Sequence, residues 1–334
     1  MLENFLYAFN AVMPIVLTIG LGYLLKRIGF FTEAFLKVAN RLVFKVCLPA
    51  LLFCNVYSIE KFSGINWGAV LYGCGAIVFL FLLGWIGAML LIPDDRQKGV
   101  FVQCMFRSNY AIIGLSFAQS IGGDAAAEVV GVLSAFTIPL FNILAVIAMA
   151  GFVKDDRSKG HLKKTFRKIL TNPLIIGCLI GFLVVWLRAL LPVENGVPVF
   201  TLQRNMPFLY NVISSLGKMA SPLALLVLGG QFDFCTAGHL KRQLLLGTVA
   251  RIVVAPLIGL SGAVLLASVL HFTAAEYASF IGLFGSPVAV STAVMAAEMG
   301  NDERLAGQYV VWTSVGSVFT VFFTVLVLKA AALL

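Results

Sequence analysis

Ten long apolar stretches alternate with short polar segments along this chain. A helix needs about 20 apolar residues to cross the hydrocarbon core of a bilayer. That ruler predicts spans at Leu6–Ile28, Leu42–Tyr57, Trp67–Ile92, Val100–Ser120 and Val129–Val153. Five more follow at Pro173–Leu191, Val212–Phe232, Leu244–Leu270, Tyr277–Ala297 and Leu305–Leu328. The second is short and has room to begin a turn earlier. The first is too long for a signal-peptide core and lacks a small-residue cleavage site, so it reads as a retained span. The expected fold is all-α and integral to the membrane.

Between the fifth and sixth spans lies a basic linker, residues 154–171, which divides the chain into halves at 1–153 and 172–334. Five spans per half force the second half to enter the membrane inverted, an arrangement common in secondary transporters. A shift of 178 residues lays Phe106, Ser108, Ala118, Gly122 and Asp124 on Phe284, Ser286, Ala296, Gly300 and Asp302. Lys45-x-x-x-Pro49 and Lys218-x-x-x-Pro222 form a second match at a different offset. Both features point to two inverted five-helix repeats.

Spans four and nine carry the polar interruptions. The fourth contains Arg107-Ser108-Asn109-Tyr110 and Gly114; the ninth contains Gly285-Ser286-Pro287 and Ser291-Thr292. Proline removes a helix hydrogen bond, and Gly and Ser neighbours favour a kink or break. Broken backbone survives at membrane depth only where protein buries it or a wet cavity hydrates it. Half-helix N-termini there would offer N–H groups to an anion, and C-termini would offer carbonyls to a cation. A plain packing kink is the competing reading. Lys45, Lys218 and Arg251 also lie within apolar spans. A charge at mid-bilayer costs about 2.5–3.5 kcal/mol on insertion scales, so each faces a partner, a cavity or, by snorkelling, the headgroups. Gln103, Gln119, Ser134, Asn142, Ser291 and Thr313 either line a path or hydrogen-bond between helices.

Composition agrees with the hydropathy pattern. The 334 residues are 60% hydrophobic and 12% charged, with a mean hydropathy of +0.98. Soluble domains carry about 25% charged residues. The net charge of +9 does not indicate nucleic acid, because the basic residues sit in alternate short loops. Sixteen of the 24 lysines and arginines fall on one side, four on the other and four within spans. The positive-inside rule makes the richer side cytoplasmic and both termini non-cytoplasmic, in a multi-pass protein of the plasma (inner) membrane. Five of the six cysteines (Cys47, Cys54, Cys74, Cys104 and Cys178) lie in apolar stretches. Neither they nor the three histidines make a metal-ligand spacing. No nucleotide loop, metal cluster or nucleophile–base set is present, so an enzyme is not expected.

These residues resemble the auxin efflux carrier family, which includes bacterial carboxylate carriers and plant auxin carriers. The resemblance runs along nearly the whole chain. It rests on Asn40-Arg41-Leu42-Val43-Phe44 continuing to Leu48-Pro49-Ala50-Leu51-Leu52-Phe53, and on Ser108-Asn109 with Gly114-Leu115. It rests also on Asn172-Pro173-Leu174, on Ser286-Pro287-Val288-Ala289-Val290-Ser291 and on the stretch from Met295-Ala296-Ala297-Glu298 onwards. The resemblance implies ten helices in inverted repeats, with broken helices four and nine crossing, and a homodimer. It implies a scaffold of spans one, two, six and seven, and a moving unit of spans three to five and eight to ten. Elevator-type exchange of a small carboxylate, such as malate, malonate or an auxin-like acid, follows from it. Asn109 and Pro287 match substrate-site positions of the family.

The chain departs from its relatives at Ser116, where many have proline, at Thr292, where plant carriers have a second proline, and at Tyr110, where threonine is common. It also lacks the long loop of many plant members, which favours a bacterial-type carrier. The expected substrate contacts are Ser108, Asn109, Tyr110, Arg251, Ser286, Pro287 and Ser291, with Lys45 and Lys218 as further anion partners. Gln119, Thr292 and Glu298 are candidates for coupling to Na⁺ or H⁺; no other cofactor is expected. The partners expected are a small organic anion, the bilayer and a second copy. The alternatives are a sodium-coupled carrier of larger organic anions, like the bile-acid symporters, and a membrane sensor that binds without transport.

Overall fold

The computed structural model describes residues 2–57, 66–152, 171–191, 193–194, 197–232, 238, 240–331 and 333–334. The expected cytoplasmic linker lies almost wholly outside these residues. The described chain is helical apart from a two-residue ribbon, β1 (Val193–Glu194) with β2 (Val197–Pro198). Its helices are α1 (Leu2–Arg27), α2 (residues 33–57), α3 (Trp67–Leu91) and α4 (Asp95–Phe106). The next helical stretch opens with a wide turn at Tyr110–Gly114 and continues through Leu115–Phe152, interrupted at Gly123 (φ 64, ψ −154). It therefore forms α5 (residues 110–122) and α6 (residues 124–152). Then come α7 (Pro173–Ala189), α8 (Leu202–Asn205), α9 (Pro207–Gln231) and α10 (Lys241–Leu270). The last are α11 (Ala274–Gly285), α12 (Ser291–Glu298) and α13 (Glu303–Ala330).

Side chains at the helix starts explain where several of them begin. Thr32, Asn66, Asp94, Asn172 and Asp302 each accept a first-turn N–H, as at Asn172 Oδ1 from Leu174 N at 2.9 Å. Such caps contribute about 1 kcal/mol each. Thr273 and Glu276 form a reciprocal capping box at the start of α11. Several helices consequently begin earlier than hydropathy suggested. α2 starts at Glu33, about two and a half turns of helix before Leu42, and α4 starts at Asp95 rather than Val100. Hydropathy marks where a helix meets hydrocarbon, whereas capping marks where it begins. The two Gly-x-Asp segments are turns, with positive φ at Gly123 (64°) and Gly300 (75°).

Five of these helices are long and apolar enough to cross a membrane: α3, the Leu115–Phe152 stretch, α9, α10 and α13. Their outward faces are apolar, with Leu71, Leu90, Leu265 and Phe323 all more than 60% exposed. The polar side chains Gln103, Asn142, Thr292, Thr313 and Ser317 are instead buried. This inversion of the soluble pattern is what lipid as solvent requires.

Helices α1 and α9 pack together, as do the second half of α2 and α7. Close approach is carried by small residues. Gly22 lies against the Leu226 backbone, Gly229 against Ile19, and Gly177 against Pro49, with no room for a Cβ at any of them. In lipid, where apolar burial drives nothing, such backbone proximity supplies the packing. A second group assembles from α4 on α3, α11 on the Leu115–Phe152 stretch, and α12 on α13. Lys45 and Arg251 each sit in a wide helical turn, Val43–Cys47 and Ala250–Val254, just before Pro49 and Pro256. Proline leaves the carbonyl four residues earlier without its N–H. At Pro256 that carbonyl is Ile252 O, and the Thr320 hydroxyl donates to it at 2.8 Å.

Candidate functional site

Helix α4 ends at Phe106, and the chain runs extended through Arg107 to Asn109 before α5 begins. Helix α11 ends at Gly285, and residues 286–290 separate it from α12. Ser286-Pro287 ends α11 because proline cannot continue its hydrogen bonding. The two interruptions lie side by side and antiparallel. Ser108 bridges Val288, and Asn109 N donates to Pro287 O at 2.8 Å. This register sets Asn109 opposite Pro287, the same two positions that the 178-residue shift equates. Next to them, Gly114 of α5 and Gly282 of α11 meet backbone to backbone, with no space for a side chain at either position.

Beside the paired segments is a cavity of about 290 Å³. Arg107, Ser108, Asn109 and Tyr110 line it, with Ala289, Val290 and Ser291 from the second break. Ile138, Phe141 and Asn142 of α6 close one wall; Leu48 to Asn55 of α2 and Gly217 to Ala224 of α9 form the other. Among the described residues two cations reach it, Arg107 and Lys218, and no aspartate or glutamate does.

Arg107 is 4% exposed, and its partners among the described residues are neutral groups. Its Nη1 donates to Gln103 Oε1 at 2.9 Å and its Nη2 to Asn142 Oδ1 at 2.7 Å; Met295 Sδ lies 2.7 Å from Nη1. Gln103 is fixed in turn by Thr292, whose hydroxyl donates to Gln103 Oε1 at 3.0 Å. Asn142 anchors itself through Nδ2 to Ile138 O at 2.8 Å. Among the described residues Lys26–Glu33 and Lys98–Asp95 form ion pairs, and neither includes a residue of this cluster. A buried cation without a counter-ion is costly unless a ligand supplies the negative charge. Two further groups there, Ser108 Oγ and Asn109 Nδ2, are buried without a hydrogen-bond partner among the described residues.

The residues singled out from sequence divide between this cavity and other places. Ser108, Asn109, Tyr110, Ser291 and Lys218 line it. The Tyr110 hydroxyl is paired with Ser279 Oγ at 2.5 Å. Ser286 is buried and donates to Gly282 O at 2.5 Å, while Pro287 contributes the carbonyl that holds Asn109 N. Lys45 and Gln119 are exposed, and neither lines the cavity. Glu298 accepts from Asn40 Nδ2 at 3.2 Å, tying α12 to α2. Arg251, expected among the substrate contacts, is not part of this cavity's lining. Its guanidinium is 1% exposed and donates to four main-chain carbonyls, because the ends of α4 and α11 present unpaired oxygens there. Arg107 was visible in the sequence as a charge inside a span but was not placed in the site. Gln103 and Asn142 at four-residue and distant positions were its only signal. Among the described residues no cluster of three His, Cys, Asp or Glu side chains comes together to hold a metal.

Comparison with known proteins places the chain among membrane transport proteins. A family model described as membrane transport protein matches residues 7–325. A mouse protein named lysosomal cholesterol signaling protein is 22% identical over 309 residues, covering 85% of this chain and 33% of that protein. An uncharacterized transporter of Saccharomyces cerevisiae is 24% identical over 178 residues, 49% of this chain and 27% of the yeast protein. The chain thus spans about a third or less of the length of these curated relatives.

Proposed function

The chain belongs to the auxin efflux carrier family of membrane transport proteins, and from that membership we propose that it is a secondary transporter of a small organic anion. The substrate is a carboxylate such as malate, malonate or an auxin-like acid. One observation carries this reading: a cavity holding the buried, carboxylate-free Arg107 guanidinium together with the unsatisfied Asn109 amide and Ser108 hydroxyl. Each of these groups gains a partner when a carboxylate enters, and charge-assisted hydrogen bonds are the strong ones. The N-terminal ends of α5 and α12 add partial positive charge at the same wall. A volume of about 290 Å³ falls at the lower limit of drug-sized pockets, which favours small acids over bile-acid-sized anions.

The cavity lies between α2 and α9 on one side and the paired breaks with α6 on the other. Alternating access then consists of an elevator-like displacement of the α3–α6 and α10–α13 group against α1, α2, α7 and α9. In this reading ten spans form two inverted repeats with α4–α5 and α11–α12 crossing. The protein works as a homodimer in the plasma (inner) membrane, with the basic loops in the cytoplasm.

Reconstitution tests the proposal. Proteoliposomes containing the purified protein are expected to show saturable uptake and counterflow of at least one member of a mono- and dicarboxylate panel. Saturable flux of none, under any imposed gradient, would refute it. A second reading, ligand sensing without transport, draws on the relative named for cholesterol signaling. Specific binding of a ligand that is never carried across would favour that reading instead.

A further inference from the structure

The carbonyl cluster around Arg251 has the donor set of a cation site. Nε donates to Ser286 O at 2.9 Å, and Nη2 donates to Leu283 O at 3.2 Å and Phe284 O at 2.8 Å. Nη1 reaches across to Met105 O at 3.3 Å. Three of these oxygens end α11 and the fourth ends α4, so one guanidinium joins the C-termini of the two broken helices. Half-helix C-termini and unwound carbonyls are the elements with which many carriers coordinate a coupling Na⁺. The charge arithmetic is also that of an ion site. Each helix C-terminus carries about −0.5 of an elementary charge, so two of them offset one arginine. Among the described residues no carboxylate takes part. Planar geometry suits the task, since four donors on a rigid fork meet four fixed acceptors, which an ammonium on a flexible stem cannot do as well.

We infer that Arg251 is a resident cation occupying the position of a coupling ion, so that this carrier moves its anion without Na⁺. The side chain is anchored through α10, inside the wide turn at Ala250–Val254, and therefore travels with the two breaks instead of exchanging with solvent. It neutralises the C-terminal ends of the broken helices permanently. The N-terminal ends and Arg107 are left to attract the substrate, whose arrival needs no prior ion binding. The inference rests on the transport reading above and concerns the energetics of that same site. Arg251 acts here as a positioning residue, since it holds the backbone that shapes the cavity without touching the substrate.

The experiment compares wild type, Arg251→Ala and Arg251→Lys in proteoliposomes, using whichever carboxylate wild type carries. Wild-type initial rates should be equal in NaCl and choline chloride, and ²²Na⁺ should not accompany the substrate. Arg251→Ala should lose flux by about tenfold or more, corresponding to ~1.4 kcal/mol, and regain it when guanidinium chloride is added at non-denaturing concentration. Arg251→Lys should retain an intermediate rate. Saturable Na⁺ stimulation of wild type, ²²Na⁺ cotransport, or full Na⁺-free flux in Arg251→Ala without guanidinium would each overturn the inference. Should Arg251→Ala not survive purification as a monodisperse protein, the wild-type Na⁺ titration decides the matter alone. Absence of flux for every carboxylate in wild type would instead strike the transport reading, so the two failures are separable.

Discussion

Replacing Arg107 with glutamine removes the one buried cation on the cavity wall among the described residues while keeping a polar, though shorter, side chain. A carboxylate about 5 Å from the guanidinium gains ~3 kcal/mol of attraction at an effective dielectric constant of about 20. Part of that offsets desolvation of the anion, and net values for hydrogen bonds to charged groups run at about 1.5–3 kcal/mol. A loss of ~2 kcal/mol corresponds to about 30-fold in Kd. Arg107→Lys keeps the charge but not the fork that Gln103 and Asn142 orient, so its Kd should rise by a smaller factor, about fivefold.

The substitution also strips Asn142 Oδ1 of its donor at 2.7 Å, a stability cost of about 1–3 kcal/mol for a buried acceptor. Gln103 Oε1 keeps Thr292. Equilibrium binding of a radiolabelled carboxylate to detergent-solubilised protein separates affinity from stability, provided the melting temperature of each variant is measured alongside. A folded Arg107→Gln protein that binds within about twofold of wild type would refute the assignment of Arg107 as the anion's counter-charge.

Other substitutions probe the remaining features. Asn109→Ala should abolish flux with expression intact, as uptake normalised to protein amount would show; unchanged flux removes Asn109 from the site. Tyr110→Phe should lower thermal stability by ~1 kcal/mol through loss of the Ser279 pairing yet leave Kd nearly unchanged, because the hydroxyl is already satisfied within the protein. Gly282→Val should force the α5 and α11 backbones apart, costing about 1–3 kcal/mol or more, and should reduce recovery of monodisperse protein in size-exclusion chromatography.

Hydropathy made the membrane class and most helix positions legible, because twenty apolar residues have few other places to go. It placed the ends of α2, α4 and α11 poorly, since Glu33, Asp95 and Ala274 begin helices through caps, outside the apolar run. The breaks at Ser108-Asn109 and Ser286-Pro287 were readable from Gly, Ser and Pro placed inside long apolar runs. Their pairing was not, since a bridge between Ser108 and Val288 joins backbones far apart in sequence. Arg251 stood out as an intramembrane charge, but carbonyl oxygens have no signature in a sequence, and its partners are all carbonyls. Arg107 drew less notice because its environment is made by Asn142, 35 positions later.

The bridge from Ser108 to Val288 also bears on how the protein is made. Ribosomes add about 5–20 residues per second, so Val288 follows Ser108 by roughly 10–40 seconds. Throughout that interval the gap between α4 and α5 has no second strand, and for most of it the carbonyl at Met105 has no Arg251. Bare amides in lipid cost several kcal/mol apiece, so the nascent first half cannot rest fully inserted in its final shape. It must wait near water, in the insertion machinery or against another chain, until its complement emerges. The centre of the fold is therefore completed late, once the second half has been made, however early its outer helices enter the bilayer.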